Sequence, residues 1–282
     1  MKLLNNLRTI ISRPRFAVEY ADYCGSTLRH GRARKVLPGG ITISNFSGFS
    51  EFHSVRDFVN QSERAFFTSF PFSCGDIFDI GANLGVISLM LARNPRVQRI
   101  FAFEPNPSTF EALRDNTQLN NAASISIEQT AVSDVDGTIP FATDAVRRGT
   151  ASIAPTVQSA SKVPSVRLDT FIKERGIEQV ALLKVDVEGY ESAVFAGARG
   201  ALEKRLIPIV YYEVCPAITR HAGFDPLSPT RTLQEHGYQI FALKNGSFLE
   251  RVDPVAEIGA VVCENWIGLL PAQIAGAGRW IR

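Results

Sequence analysis

The residues best suited to chemistry surround a glycine-rich turn that follows an apolar strand pattern. Asp79 ends the strand pattern, and the turn continues as Asp-x-Gly-x-x-x-Gly through Gly81 and Gly85. Glycine permits a left-handed backbone and the close approach of a ligand. Asn83 interrupts the Gly-x-Gly-x-x-Gly spacing that binds a dinucleotide pyrophosphate. Because a carboxylate at Asp79 would repel a pyrophosphate but attract a cationic amino group, the turn favours S-adenosylmethionine (SAM).

Glu104 is a second acid at a spacing typical of nucleotide-binding βαβ units. It follows Gly85 by 19 residues, at the end of the next apolar strand pattern. A carboxylate about 20 residues beyond the turn commonly binds the ribose hydroxyls. Taken separately, Asp79 could cap a helix and Glu104 could be a solvated strand end. Together they predict an adenosyl cofactor whose own carboxylate binds amide groups near Leu84, where a helix begins.

Charged residues on two later strand patterns supply the catalytic candidates. Lys184 and Asp186 lie on the same side of a predicted buried strand, near the carboxyl end where α/β sheets bind ligands. Charges there are costly unless paired or functional, so Asp186 is predicted to act on the acceptor, the alternative being an ion pair with Lys184. Glu213 ends the next apolar run and is a second candidate base. His221, in the loop beyond it, is a third, with a surface histidine as the alternative.

Metal binding is not predicted from this sequence. Asp186 and Glu213 could hold a divalent cation or divide the roles of base and orienting group, but further oxygen ligands are lacking. The absence of a Cys-x-x-Cys pair argues against zinc and fits free thiols in a reducing cytosol. The cysteines are Cys24, Cys74, Cys215 and Cys263.

Alternating strand and helix patterns must position these side chains. Strands are predicted at residues 76–80, 99–104, 124–131, 180–186, 207–214 and 238–243, and helices at residues 55–70, 84–93, 107–120, 168–175, 189–204 and 228–236. This order predicts an α/β fold with a mostly parallel sheet covered by helices on both faces. Residues 134–166 are predicted to form a β-hairpin or a flap. A short strand from Glu264 and a fraying Gly/Ala tail are predicted to end the chain.

Composition limits the classes of partner. The 282 residues carry a net charge of +2, which gives no indication of nucleic-acid binding. The sequence contains no apolar run of the length that spans a membrane, which predicts a cytoplasmic protein.

Five segments together resemble the FkbM-type SAM-dependent methyltransferases. They read Phe-Asp-Ile-Gly-Ala-Asn-Leu-Gly (78–85), Phe-Glu-Pro-Asn-Pro (103–107), Ala-Val-Ser-Asp (131–134), Val-Arg-Leu-Asp (166–169) and Lys-Val-Asp-Val-Glu-Gly-Tyr-Glu (184–191). The resemblance covers about residues 60–215. It implies a class I, Rossmann-like methyltransferase fold and methyl transfer from SAM, most often to a hydroxyl group.

The resemblance also implies roles for individual residues. Asp79, Gly81 and Gly85 would form the site for the methionine end of SAM, and Asn83 belongs to the same motif. Glu104 would bind the ribose, and the turn at Ala131 and Val132 would lie beside adenine through backbone groups. The acceptor does not carry over, because the family methylates diverse sugars, glycans and natural products.

The N-terminal region differs in charge from the rest of the chain. Residues 1–54 are predicted to be a basic extension with a short helix and β segments, and residues 55–282 to be the methyltransferase domain. Residues 1–35 hold eight Lys or Arg against two acids, and Leu3, Leu7, Ile10 and Ile11 share one helical face. The helix could rest on an anionic membrane surface, or it could pack on its own domain.

Two other functions remain open on the sequence alone. A nicotinamide-dependent oxidoreductase would share the βαβ unit, although Asp79 and the broken glycine spacing argue against it. A non-catalytic scaffold could keep the SAM-binding fold without transferring a methyl group.

Overall fold

The computed structural model describes residues 14–142, 152–153 and 161–282. The predicted apolar face of Leu3, Leu7, Ile10 and Ile11 lies outside these residues. The strands, in chain order, are β1 (Arg34–Leu37), β2 (Ile41–Ser44), β3 (Asp76–Ile80), β4 (Ile100–Phe103), β5 (Ile125–Glu128), β6 (Ala131–Val132), β7 (Gly137–Ala142), β8 (Ser152–Ile153), β9 (Ser161–Val166), β10 (Val180–Val185), β11 (Ile209–Val214), β12 (Gln239–Lys244), β13 (Phe248–Arg251) and β14 (Glu264–Leu269).

The helices lie mainly between these strands, as the alternating pattern predicts. They are α1 (Pro14–His30), α2 (Phe49–Ser54), α3 (Gln61–Ser69), α4 (Val86–Leu91), α5 (Pro107–Leu119), α6 (Leu168–Glu174), α7 (Glu191–Gly197), α8 (Arg199–Glu203), α9 (Pro216–His221), α10 (Ser228–Glu235), α11 (Pro254–Glu257) and α12 (Pro271–Gly276). Short 3₁₀ turns occupy Val55–Asp57 and Gly278–Trp280. Within the described ranges, no helix is long and apolar enough to cross a membrane.

The main sheet confirms the predicted α/β architecture. Its order is β13-β12-β14-β11-β10-β3-β4-β5, and the pairs from β11 to β5 are parallel. Strand β14 runs antiparallel between β11 and β12. Both faces are covered, because alternate residues of β3 join different hydrophobic clusters: Ile77 packs with Phe66 and Leu89, and Phe78 with Phe171 and Val194.

The predicted elements that differ from the structure include one helix start and the C-terminal tail. The helix expected over residues 55–70 begins at Gln61, because Asn60 and Glu63 form a reciprocal capping box there. The C-terminal tail does not fray. Trp280 is buried, with its ring centroid 5.5 Å from that of Phe70 and 6.0 Å from that of Phe66. Burial of a large aromatic ring therefore anchors a segment whose Gly/Ala composition predicts disorder.

A smaller sheet forms beside the main one from the segment predicted as a hairpin. Strands β7 and β9 pair antiparallel, and β9 also pairs parallel with β6. Residues 143–151 and 154–160 lie outside the described residues.

The β1–β2 hairpin is attached to the main body through α5. The side-chain oxygen of Asn116 accepts a hydrogen bond from the Ser44 amide at 2.8 Å, and that of Asn120 accepts one from the Thr42 amide at 2.9 Å. Ile41 and Ile43 are buried in the same cluster as β3. The hairpin and the helix after it therefore lie against the sheet edge that carries the candidate site.

Candidate active site

A cavity of about 440 Å³ lies at the carboxyl ends of β3, β10 and β11. One wall comes from residues 47–59, and the other from the turn after β3 and the residues that follow β10. Its volume falls in the range of small-molecule sites. The carboxyl edge of a parallel sheet is also where α/β proteins bind ligands.

The glycines of the turn lie so close to neighbouring atoms that a larger residue would clash. Gly81 has φ of 77°, and a Cβ atom there would lie 1.9 Å from the carbonyl oxygen of Asp186. Gly85 has φ of 83° and precedes α4, where a Cβ would lie 2.7 Å from Leu113 Cδ1. Asn83 between them is also left-handed, and its Oδ1 atom is buried with no hydrogen-bond partner among the described residues. The turn thus offers an unused acceptor on the cavity wall.

Lys184 is the centre of a buried charge pair beneath this turn. Its Nζ lies 3.0 Å from Asp79 Oδ1 and 3.8 Å from Asp186 Oδ2, and it donates to the carbonyl of Gly81 at 2.8 Å. Ser88 donates to the other oxygen of Asp79 at 2.6 Å. Burial lowers the pKa of Lys184, but the nearby carboxylates outweigh it and raise the pKa above the ordinary value. Lys184 is therefore charged and holds the turn in place.

Glu104 is buried behind the same turn. Its two carboxylate oxygens accept hydrogen bonds from the amides of Asn83 at 3.0 Å and Asn106 at 2.9 Å. Burial raises the pKa of Glu104 to about 7, and the two amides oppose this rise. These contacts fix the carboxylate between the glycine turn and the end of β4.

Three acidic side chains line the cavity at the carboxyl ends of β10 and β11. The side chain of Asp186 is 39% exposed. Glu188 and Glu213 are more buried, and burial is the main reason that the pKa of Glu188 rises to about 7 and that of Glu213 to about 8. Repulsion from Asp186 adds to both rises. Glu213 Oε1 accepts a hydrogen bond from the Cys263 thiol at 3.3 Å, and Oε2 is buried without a partner in the described part of the chain. The arrangement brings three carboxyl groups together, and burial with mutual repulsion raises the pKa of two of them, Glu188 and Glu213, toward neutral pH.

The sequence profile of the methyltransferase FkbM domain matches residues 79–240, more than half of the chain. The match contains the glycine turn, Glu104, Lys184 and Asp186. This chain belongs to the FkbM methyltransferase family. Its main sheet is that of a class I, Rossmann-like methyltransferase.

Similar proteins include two methyltransferases whose names give an acceptor. The hexuronic acid methyltransferase AglP of Haloferax volcanii is 28% identical over 56% of this chain and 61% of its own length. The 31-O-demethyl-FK506 methyltransferase FkbM of Streptomyces tacrolimicus is 33% identical over 48% of this chain and 64% of its own. A crystal structure of methyltransferase FkbM from Methylobacillus flagellatus is 14% identical, covers 78% of this chain and 54% of that one, and superposes with a TM-score of 0.46. The FkbM-family chain thus spans about three fifths of the length of the curated relatives it matches.

The remaining predicted site residues of the FkbM-family chain occupy different surroundings. Asp79 has no exposed surface, and its contacts are with Lys184 and Ser88. Ala131 and Val132 are buried in β6, and their backbone pairs with the adjoining strand β9. His221 is the exposed last residue of α9 and is not among the residues that line the cavity.

Two groups of cavity residues in the FkbM-family chain were not among the sequence-based candidates. The first is Ser47, Ser50, Glu51, Ser54 and Phe58, which reach the cavity because the β1–β2 hairpin folds onto α5. The second is Glu188, whose left-handed backbone with φ of 54° is uncommon for a glutamate and marks a constrained position. Among the described residues, no three His, Cys, Asp or Glu side chains are grouped to hold a metal ion.

Proposed function

We propose that this chain transfers the methyl group of SAM to a hydroxyl group of a sugar, glycan or natural product. The observation that carries the proposal is a single cavity in which the glycine turn, Asp186 and Glu213 meet at the carboxyl edge of the sheet. The names of two relatives support the acceptor class, one being a hexuronic acid and the other 31-O-demethyl-FK506.

The residues around the turn fit SAM. The unpartnered Oδ1 of Asn83 is an acceptor of the kind that the amino group requires, and Glu104 is a fixed carboxylate for the ribose hydroxyls. Asp79 acts indirectly in this proposal, because its charge is engaged by Lys184. Ala131 and Val132 contribute backbone groups beside adenine. When bound, SAM supplies a methyl group on a positively charged sulfur.

The protein must also take a proton from the acceptor hydroxyl as the new bond forms. Glu213 suits this role, because a base works best with a pKa near the working pH and its Oε2 has no partner within the described chain. Asp186 suits the role of holding the hydroxyl in line, since its carboxylate lines the same cavity and is partly exposed. His221 is the least suitable base in this arrangement because it lies outside the cavity lining.

The first test of the proposal is cofactor binding followed by methyl transfer. SAM and its demethylated product should raise the melting temperature of the purified chain, and NAD should not. Stabilisation by NAD alone would support the oxidoreductase interpretation instead. Radiolabelled methyl groups should then pass from SAM to hydroxylated glycosides or natural products. Binding of SAM without transfer to any hydroxylated acceptor would favour the non-catalytic scaffold instead.

The second test separates the roles of the two acids. Glu213→Gln should lower kcat by about 10²- to 10⁴-fold and remove the rise of rate with pH between about pH 6 and 9. Asp186→Asn should lower kcat while keeping that pH profile, and neither change should weaken SAM binding by more than a few-fold. Glu203→Gln, at an exposed carboxylate on α8, is the matched control. A Glu213→Gln variant with the parent's pH profile would remove Glu213 from the role of base.

A further inference from the structure

The cavity has an uneven balance of charge, which bears on the kind of acceptor it admits. Four carboxyl groups line it: Glu51, Asp186, Glu188 and Glu213. Among the described lining residues, Lys184 is the one cation, and its Nζ lies 3.0 Å from Asp79 and bonds to backbone carbonyls. Its charge is therefore already offset before a ligand arrives.

An anionic acceptor would meet repulsion in this cavity. The carboxyl groups already repel one another, as the raised pKa of Glu213 beside Asp186 and Glu188 reflects after the effect of burial. Recognition of a ligand carboxylate or phosphate normally uses an arginine or lysine that can pair with it. The cavity lining described here contributes no arginine.

The polar groups of the opposite wall suit neutral hydroxyl groups instead. Ser47, Ser50 and Ser54 each supply a hydroxyl that both donates and accepts. Phe58 lines the same wall and is 41% exposed, which leaves an apolar surface for the C–H face of a sugar ring. Serine hydroxyls, carboxylates and one aromatic ring can together satisfy a polyhydroxylated ligand without a counter-ion.

We propose that this site selects a neutral polyhydroxylated acceptor and rejects one with a carboxylate beside the reacting hydroxyl. The inference rests on the proposed function and narrows its acceptor class. It also separates this chain from the relative that is named for a hexuronic acid. Glu51 is the specificity-determining residue that the sequence did not reveal, because it reaches the cavity from the N-terminal wall.

The test uses acceptors that differ in charge but little in shape. The purified full chain is assayed at pH 8 with labelled SAM and methyl glycosides of the gluco, galacto and manno series, each as the hexose, the uronate and the uronate methyl ester. The hexose and the neutral ester should be methylated with kcat/KM at least ten-fold above that of the uronate. The ester controls for size, since it differs from the uronate mainly in charge.

A variant then tests whether Glu51 contributes to this selectivity. Glu51→Gln retains an acceptor for the Ser47 amide, to which Glu51 is bonded, but removes one negative charge. It should raise the uronate-to-hexose ratio of kcat/KM several-fold, and Glu51→Lys should raise it further. Glu203→Gln, outside the cavity lining, should leave the ratio unchanged.

The outcomes distinguish this inference from the proposed function. Uronates methylated as well as or better than their esters would overturn the charge selection while leaving the methyltransferase proposal intact. A ratio that does not respond to either Glu51 substitution would remove Glu51 from specificity. Methyl transfer to no member of the panel, with SAM bound, would overturn the proposed sugar acceptor and the inference together.

Discussion

Removing the Lys184 ammonium should destabilise this protein far more than removing both partners of its ion pair. Lys184 is 2% exposed and Asp79 is 0% exposed, so Lys184→Met leaves a carboxylate buried without its counter-charge. Breaking a buried pair from one side costs about 3–5 kcal/mol of unfolding free energy. With an m-value of about 3 kcal/mol/M in urea, the unfolding midpoint should fall by more than about 1 M.

The double variant Asp79→Asn with Lys184→Met provides the control. It removes both charges and keeps a polar group beside Ser88, which donates to Asp79 in the parent protein. We expect it to be more stable than Lys184→Met alone, with a coupling energy of at least about 2 kcal/mol in the double-mutant cycle. Urea unfolding followed by circular dichroism measures all four proteins. Additive effects, or a loss below about 1 kcal/mol for Lys184→Met, would refute the buried ion pair.

Three further predictions follow from the geometry. Gly81→Ala should lower the unfolding free energy by more than about 3 kcal/mol, because the added Cβ would clash with the carbonyl oxygen of Asp186. The control Gly223→Ala, with φ of 89° and no atom within 4 Å of its added Cβ, should cost about 1 kcal/mol. Equal losses in urea unfolding would contradict the clash at Gly81. Burial raises the pKa of Glu104 from 4.5 to about 7, so between these values the folded state holds a proton that the unfolded chain releases. The melting temperature should therefore fall as the pH rises from 5 to 7.5, and it should fall less steeply in the Glu104→Gln variant. Cys215 and Cys263 lie opposite each other, because they continue the antiparallel register of Val214 and Glu264. The thiol oxidant diamide should therefore link them in a disulfide, which peptide mapping would detect. A disulfide between other cysteines would contradict this pairing.

The parts of the fold that follow from local patterns could be predicted from the sequence. Apolar runs such as 76–80 and 180–186 are short, and helical patterns separate them, so the parallel sheet follows from periodicity alone. The closeness of Glu104 to the glycine turn, where it accepts a hydrogen bond from the Asn83 amide, could be predicted because a fixed spacing within one βαβ unit sets their separation. The position of Asp186 at the sheet edge follows from its place directly after the apolar strand β10.

Contacts between distant segments could not be predicted in this way. The pairing of Asp79 with Lys184 joins β3 to β10, and no local pattern indicates which of two carboxylates a buried lysine approaches more closely. Glu51 reaches the cavity through a hairpin that is held by Asn116, a residue more than 60 positions away. Trp280 is anchored by rings near residue 70. Each of these placements depends on tertiary packing rather than on local propensity.

The placement of β14 between β11 and β12 bears on how the chain is made. On the ribosome, the hairpin of β12 and β13 emerges before residues 264–269 exist, yet it can join the main sheet only through them. Until then β11 is an open apolar edge, the kind of surface on which nascent chains aggregate or recruit chaperones. Synthesis of β14 therefore closes the sheet between β11 and β12, and the edge of β11 needs protection until that strand has formed.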